Sequence, residues 1–177
     1  MGASYYQGLG IKKDYKEAVK WYRKAAEQGL EEAQFNLGGM YHEGLGIKKD
    51  YKEAVKWFQK AAEQGHANAQ YMLGMIYQKG PGVDQDYKEA VKWFQKAAEQ
   101  GHARAQYMLG LMYGIGQGTT QDYVMSYMWL SLSTTGLNGD ELKNSVNIRD
   151  MIANEMTSKQ KSEAQQLAKE WKPQVSK

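Results

Sequence analysis

The chain has 177 residues, of which 42% are hydrophobic and 24% charged, an ordinary composition for one soluble domain or a short repeat array. The net charge of +3 gives no basis for a nucleic-acid interface, and the absence of cysteine excludes disulfides, thiol chemistry and Cys-based zinc sites. No apolar run approaches the ~18 residues that span a bilayer, and residues 1–10 carry no secretion signal, so we expect no membrane insertion.

A unit of 36 residues repeats along the chain. The string DYKEAVKW begins at Asp14, Asp50 and Asp86, and a degenerate form, DYVMSYMW, begins at Asp122. The units that begin at Asp50 and Asp86 are identical at 28 of 36 positions, so they are duplicated copies. Such a spacing is typical of arrays in which each unit buries its apolar face against the next one.

The first half of each unit predicts a helix. Apolar residues recur at helical spacing between Tyr15 and Ala26. Asp14 is placed to cap this helix, and Glu17, three residues later, predicts a capping box; the next two units repeat both residues. Gly29 follows the helix where a left-handed residue is needed, as do its counterparts Gly65 and Gly101.

The second half of each unit predicts another helix, with a packing stripe that runs from Ala33 to Tyr41 in the first copy. Gly38 lies beside this stripe, and we expect it to let two helix backbones approach closely at a cost of about 1 kcal/mol in helix propensity. The predicted fold class is therefore all-α, a solenoid of helical hairpins.

Tryptophan and histidine recur at fixed places in the unit. Trp21 and its counterparts Trp57, Trp93 and Trp129 are predicted to pack in the core. His66 and His102 each follow a helix-ending glycine. Corresponding helices of neighbouring units lie roughly 10 Å apart and zinc needs ligands at about 2 Å, so we expect these histidines to join the loop to the second helix rather than bind metal.

The two ends depart from the pattern. Tyr5, Gly8 and Gly10 align with the end of a second helix, so the array is expected to begin inside a unit. Two interpretations stay open: a longer protein was cut here, or an apolar N-terminal edge is open to self-association. In the unit from Asp122 the outer lysines become apolar, which predicts a cover. Thr157 and Gln160 predict a capping box before the last helix. The predicted division is a repeat array at 1–137, C-terminal capping helices at 138–172 and a tail at 173–177.

The recurring pattern A-x-x-x-L-G-x-x-Y-x-x-G-x-G followed by D-Y-x-x-A-x-x-W-[YF]-x-K-A-A-x-x-G resembles the Sel1-like repeat family, a relative of the tetratricopeptide repeats, over about residues 3–135. The resemblance implies a right-handed superhelix of α-hairpins that acts as a scaffold for other proteins or peptides. It also implies a bacterial protein, and the bias of bacterial members towards the cell envelope favours a periplasmic or secreted location.

Differences between the copies indicate where a partner binds. The first helix hardly varies, whereas the second helix varies along one arc opposite its packing stripe. In tetratricopeptide-like arrays the corresponding arc lines the concave groove. Aromatic residues and arginine often anchor interfaces, although neutral drift at solvent positions also produces such variation. The candidate partner-binding residues are Phe35, Tyr71, Tyr107, Glu32, Asn68, Arg104, Met75, Leu111, His42, Gln78 and Lys79.

The sequence favours a binding module over an enzyme. A near-exact repeat offers no unique constellation of nucleophile and base, so we expect no catalytic residues, no cofactor and no metal. Two alternatives stay open. An aromatic row also stacks on sugars, which would suit a cell-wall or carbohydrate binder. Cysteine-rich relatives have been linked to β-lactam binding or hydrolysis, but they carry a cysteine pair in each repeat that this chain lacks.

Overall fold

The computed structural model describes residues 1–8 and 12–174 and forms two compact units, Met1–Gln85 and Asp86–Lys177. Gly10 and the last three residues of the predicted tail lie outside the described part. The helices of the first unit are α1 (Gly2–Gln7), α2 (Tyr15–Glu27), α3 (Glu31–Glu43), α4 (Tyr51–Glu63) and α5 (Ala67–Lys79). Those of the second unit are α6 (Tyr87–Glu99), α7 (Ala103–Ile115), α8 (Tyr123–Ser133), α9 (Gly139–Asn154) and α10 (Ser158–Glu170).

In the first unit each helix packs on the next one along the chain, from α1 to α5. The predicted stripes of α3 and α5 form the core together with the inner face of α4. Its largest fully buried side chains are Leu37, Met40, Phe58, Leu73 and Ile76. Burial of such side chains contributes about 1.5–3 kcal/mol each, so the unit depends on contacts between successive helices.

In the second unit α7 packs between α6 and α8, and α8 packs on both α9 and α10. Helix α9 begins at Gly139, 36 residues after the start of α7 at Ala103, which is the step that separates α5 from α3. Helices α8 and α9 therefore form a fourth hairpin in the repeat register, and α10 is an additional helix. The predicted division of the chain at residues 137 and 138 stays a prediction.

Aspartates begin the first helices as predicted. The Asp14 carboxylate accepts hydrogen bonds from the backbone N–H groups of Lys16 and Glu17, and Asp50 and Asp86 do the same in their repeats. The predicted capping box is wrong here, because the Glu17 side chain pairs with Lys20 instead of returning to the cap. The predicted box at Thr157 and Gln160 is confirmed.

Glycines fix two kinds of close contact. At Gly46, where φ is +69°, a Cβ atom would lie 2.3 Å from the Tyr15 carbonyl oxygen, so the turn after α3 lies against the start of α2. At Gly38 a Cβ atom would lie 2.8 Å from the ring of Phe58 in α4. A buried aromatic ring of α4 therefore occupies the space that a side chain at Gly38 would need.

The repeated tryptophans do not share one environment. Trp21 is 37% exposed, whereas Trp129 is 4% exposed. Trp57 and Trp93 are half-buried, and the ammonium groups of Lys60 and Lys96 lie 4.4 and 4.3 Å from their ring centroids. The prediction of core packing is confirmed for Trp129, which lies in the helix on which α10 packs, and is wrong for Trp21.

Candidate functional site

The candidate residues lie on one arc each of α3, α5 and α7. Four of them are exposed, namely Glu32, Asn68, Lys79 and Arg104. The other seven are half-buried, namely Phe35, His42, Tyr71, Met75, Gln78, Tyr107 and Leu111. The arc therefore faces away from the buried stripe in each helix, as the spacing predicts.

Histidines begin α5 and α7. The His66 Nδ1 atom accepts a hydrogen bond from the Ala69 backbone N–H at 3.2 Å, and His102 accepts one from Ala105 at 3.1 Å. Both histidines therefore serve as N-caps, which confirms that they join the loop to the second helix. At the equivalent position in the first copy, Leu30 precedes α3 and provides no side-chain cap.

Two candidates on α3 contact the start of α5. The Glu32 carboxylate lies 2.9 Å from His66 Nε2, and the Phe35 ring stacks on the His66 ring at a centroid distance of 4.6 Å. The hydrogen bond from His66, with a further one from Asn36, lowers the pKa of Glu32 although burial opposes the shift. This contact was not predicted from the sequence, because its residues come from different repeats. Glu32 and Phe35 thus link two hairpins.

Further along α5, four candidates meet in one pocket of the first unit. His42, from the end of α3, faces Tyr71, Met75 and Lys79 across a volume of about 170 Å³. The remaining lining residues are Met72, Ile76 and Pro81. We call this the α3–α5 pocket. The sequence could not predict Met72 and Pro81 as lining residues, since neither lies on the variable arc.

Residues on and beside the rim of the pocket make local hydrogen bonds and ring contacts. The His42 Nδ1 atom lies 2.7 Å from the Glu43 carboxylate, and the His42 ring meets the Tyr51 ring edge-on at 5.3 Å. The Gln78 backbone carbonyl accepts a hydrogen bond from the Gln85 side chain at 2.7 Å, next to the turn that carries Pro81.

In the second unit, Arg104 is tied to the neighbouring hairpin. Its guanidinium lies 3.0 Å from the Glu141 carboxylate, beside a pocket of about 220 Å³ that the starts of α7 and α9 line. Burial and the nearby charge of Glu141 raise the pKa of Tyr107. Arg104 and Tyr107 therefore lie close to α9, a neighbour that the repeat alignment did not predict.

Neither metal binding nor membrane insertion has a candidate in the described residues. Within 1–8 and 12–174, no group of three or more His, Asp or Glu side chains is arranged to hold a metal ion. No helix within the same ranges is long and apolar enough to cross a membrane.

Sequence comparison assigns the repeats. The Sel1 repeat family matches four consecutive segments, residues 1–30, 31–66, 67–102 and 103–135. The chain belongs to the Sel1 repeat family. Three of the Sel1 segments begin at the start of a second helix, α3, α5 or α7. The predicted all-α repeat class is confirmed. Sel1 repeat proteins are generally non-enzymatic scaffolds for protein–protein interaction.

Solved structures of other Sel1 repeat proteins resemble this one. One is c5321 of uropathogenic Escherichia coli, described as a protective antigen, with 48% identity and a TM-score of 0.74 over 76% of this chain and 29% of that chain. A Sel1 repeat protein from Oxalobacter formigenes gives 44% identity and a TM-score of 0.72 over 76% of this chain and 55% of that one. The chain thus spans about a third and about half of these two relatives.

A more distant match supports the fold alone. Helicobacter pylori cysteine-rich protein B is 21% identical, with a TM-score of 0.58 over 80% of this chain and 98% of that chain. No protein of curated function matches the sequence. Because the described neighbours are bacterial Sel1 repeat proteins, the predicted bacterial Sel1 type is confirmed.

Proposed function

We propose that this Sel1 repeat chain binds a segment of a partner protein through the variable arc of its second helices. The observation that carries the proposal is the α3–α5 pocket, where His42, Tyr71, Met75 and Lys79 come together. These four residues are among those predicted as partner-binding from the differences between the copies, the residue types and the resemblance to tetratricopeptide-like arrays. A pocket with an apolar floor and a few polar groups at its rim is typical of a ligand site.

Variation between the copies supports the same site. The first helices keep DYKEAVKW in three copies, so their outer face has not diversified. Position 75, by contrast, corresponds to Gly39 in the copy before it and to Leu111 in the copy after it. Gly39 has open space where a Cβ atom would lie, so the first copy has no side chain equivalent to Met75. A site that differs in each copy suits recognition of one defined sequence.

The test is capture of peptides from a displayed random library by the purified chain. The Tyr71→Ala/Tyr107→Ala double variant is expected to bind the selected peptides about tenfold or more weakly, since tyrosines are frequent interface anchors. Trp21→Ala, which removes an aromatic ring from the outer face of α2, is the matched control and should bind normally. Circular dichroism checks that helicity and melting temperature stay close to those of the parent chain.

Two outcomes would count against the proposal. One is a library that yields no binding peptide. The other is selected peptides that bind the double variant as well as the parent chain. If the double variant melts early, the tyrosines have a structural role. Peptide binding is then compared between Lys79→Glu and the parent chain, because Lys79 is exposed.

A further inference from the structure

We propose that the α3–α5 pocket takes a single large aliphatic side chain of the partner, and that Lys79 binds a carboxylate on the next residue of the partner. The ligand is thus a peptide segment with an aliphatic–acidic pair. This inference rests on the proposed function and specifies which partner chemistry the pocket recognises.

The lining sets the preference for an aliphatic group. Met72, Met75, Ile76 and Pro81 provide most of the wall, and Tyr71 adds an aromatic ring. A dry cavity of about 150 Å³ lined by Leu, Ile and Phe binds a benzene ring. The α3–α5 pocket, which is open to solvent on one side, has a volume of about 170 Å³ and so has room for a leucine-sized side chain. Unbranched methionines adapt their shape to such an occupant.

This lining occurs in one copy of the repeat. The residues that correspond to Met72 and Met75 in the preceding copy are Asn36 and Gly39. In the following copy, Lys79 corresponds to Ile115 and Pro81 to Gln117. The combination of an apolar wall with a basic residue at its rim is therefore specific to α5, so the chain offers one such anchor point among its copies.

Charge at the rim sets the preference for an acidic neighbour. Lys79 is exposed and makes no ion pair within the described ranges of the chain. The Glu43 carboxylate, which follows His42 in the chain, lies 2.7 Å from His42 Nδ1. A partner carboxylate next to the aliphatic side chain would pair with the Lys79 ammonium group, whereas a partner lysine at that place would be repelled by it.

Blocked tetrapeptides test both halves of the pair. The central residues are Leu-Glu, Leu-Gln, Leu-Lys or Ser-Glu, and binding is read from the NMR signals of methionine methyl groups labelled with ¹³C. Single Met72→Leu and Met75→Leu variants assign the two signals among the ten methionines. Leu-Glu is expected to shift both signals. Loss of the ion pair should weaken Leu-Gln about two- to fivefold, and loss of the buried leucine should weaken Ser-Glu about tenfold or more.

Variants of the chain provide matched controls. Lys79→Gln should make Leu-Glu and Leu-Gln bind equally. Met75→Gln should weaken every leucine peptide, whereas Met75→Leu, which copies Leu111 of the next repeat, should keep binding within about threefold because its volume is similar. The proposal is overturned if Ser-Glu or Leu-Lys binds as well as Leu-Glu, or if no tetrapeptide shifts Met72 and Met75.

The display selection separates this proposal from the proposed function. Library peptides that bind the chain and carry an aliphatic–acidic pair would support both. Library peptides that bind without shifting Met72 and Met75 would leave the proposed function standing and overturn the anchor pocket. A library without any binding peptide would overturn both.

Discussion

The indole ring of Trp171 meets the indole ring of Trp129 edge-on, with ring centroids 6.2 Å apart. Trp129 belongs to α8, and Trp171 follows the last residue of α10. Beyond it, the Gln174 backbone N–H donates to the Glu99 carbonyl at 2.7 Å, which fastens the chain to the end of α6. Trp21 and Trp129 occupy the same position in the repeat. This position is partly exposed in the first repeat and belongs to the core in the last one.

Truncation of the two tryptophans should separate these environments. Trp129→Ala is expected to lower the free energy of unfolding by about 3–5 kcal/mol, as for other fully buried aromatic side chains. Trp21→Ala, at the same repeat position, should cost clearly less, because more than a third of this residue is already exposed in the folded chain. Urea denaturation followed by circular dichroism measures both. Equal losses would show that α10 does not cover Trp129 in solution.

Neighbouring glycines in α3 should respond oppositely to alanine. At Gly38 the added Cβ would press on the buried Phe58 ring, so Gly38→Ala should destabilise the chain by about 1–3 kcal/mol despite better helix propensity. At Gly39 nothing lies within 4 Å of the added atom. Gly39→Ala should therefore stabilise by up to about 1 kcal/mol. Thermal and urea melts of the two variants test the contact, which is absent in solution if both variants gain stability.

Glycines with positive φ should also fall into two groups. Gly29→Ala meets no atom within 4 Å and should cost only the backbone strain of a left-handed residue, about 1–2 kcal/mol. Gly46→Ala carries the same strain and adds a collision with the Tyr15 carbonyl. Its loss in free energy of unfolding should be clearly larger. Losses of equal size would mean that the turn after α3 is free to move away from α2.

His102 should make stability depend on pH. Burial, together with the charge of Arg104, lowers the pKa of His102 below its ordinary 6.5. As the pH falls below 6.5 the unfolded chain takes up a proton that the folded chain resists, so stability should decrease on that side. Protonation of Nδ1 would also remove the acceptor that caps α7.

The measurement is the free energy of unfolding at about pH 7.5 and about pH 5.5, on either side of the ordinary histidine pKa. His102→Asn keeps an N-capping side chain, so the difference between the two pH values should shrink. Glu17→Gln is the control. The Glu17 carboxylate pairs with Lys20 rather than with a histidine, so its removal should not alter this difference. An unchanged difference in His102→Asn would contradict the assignment.

Local signals predicted the helices and most of their ends. Asp14, Gly29 and His66 act through atoms within a few residues, and the sequence spacing alone places those atoms. The capping box at Glu17 failed for a local reason as well: Lys20 lies one turn further on and competes for the carboxylate.

Contacts between repeats were harder to predict. Periodicity marks one face of α2 as apolar but does not say that Trp21 lies at its margin, since that depends on whether a further helix covers it. The contact of Glu32 with His66 and the α3–α5 pocket depend on the offset between successive hairpins. The repeat alignment predicted which residues vary on the arc, and the structure supplied which of them meet.

The contact of Gly46 with Tyr15 recurs as Gly82 with Tyr51 and as Gly118 with Tyr87. The length of each connection between hairpins is thus constrained by its contact with the preceding hairpin. An inserted or deleted residue would therefore misplace the next Asp that begins a helix. Such an array tolerates growth by copying whole units far better than growth by lengthening a linker, so diversity accumulates through point substitutions within a frame of constant length.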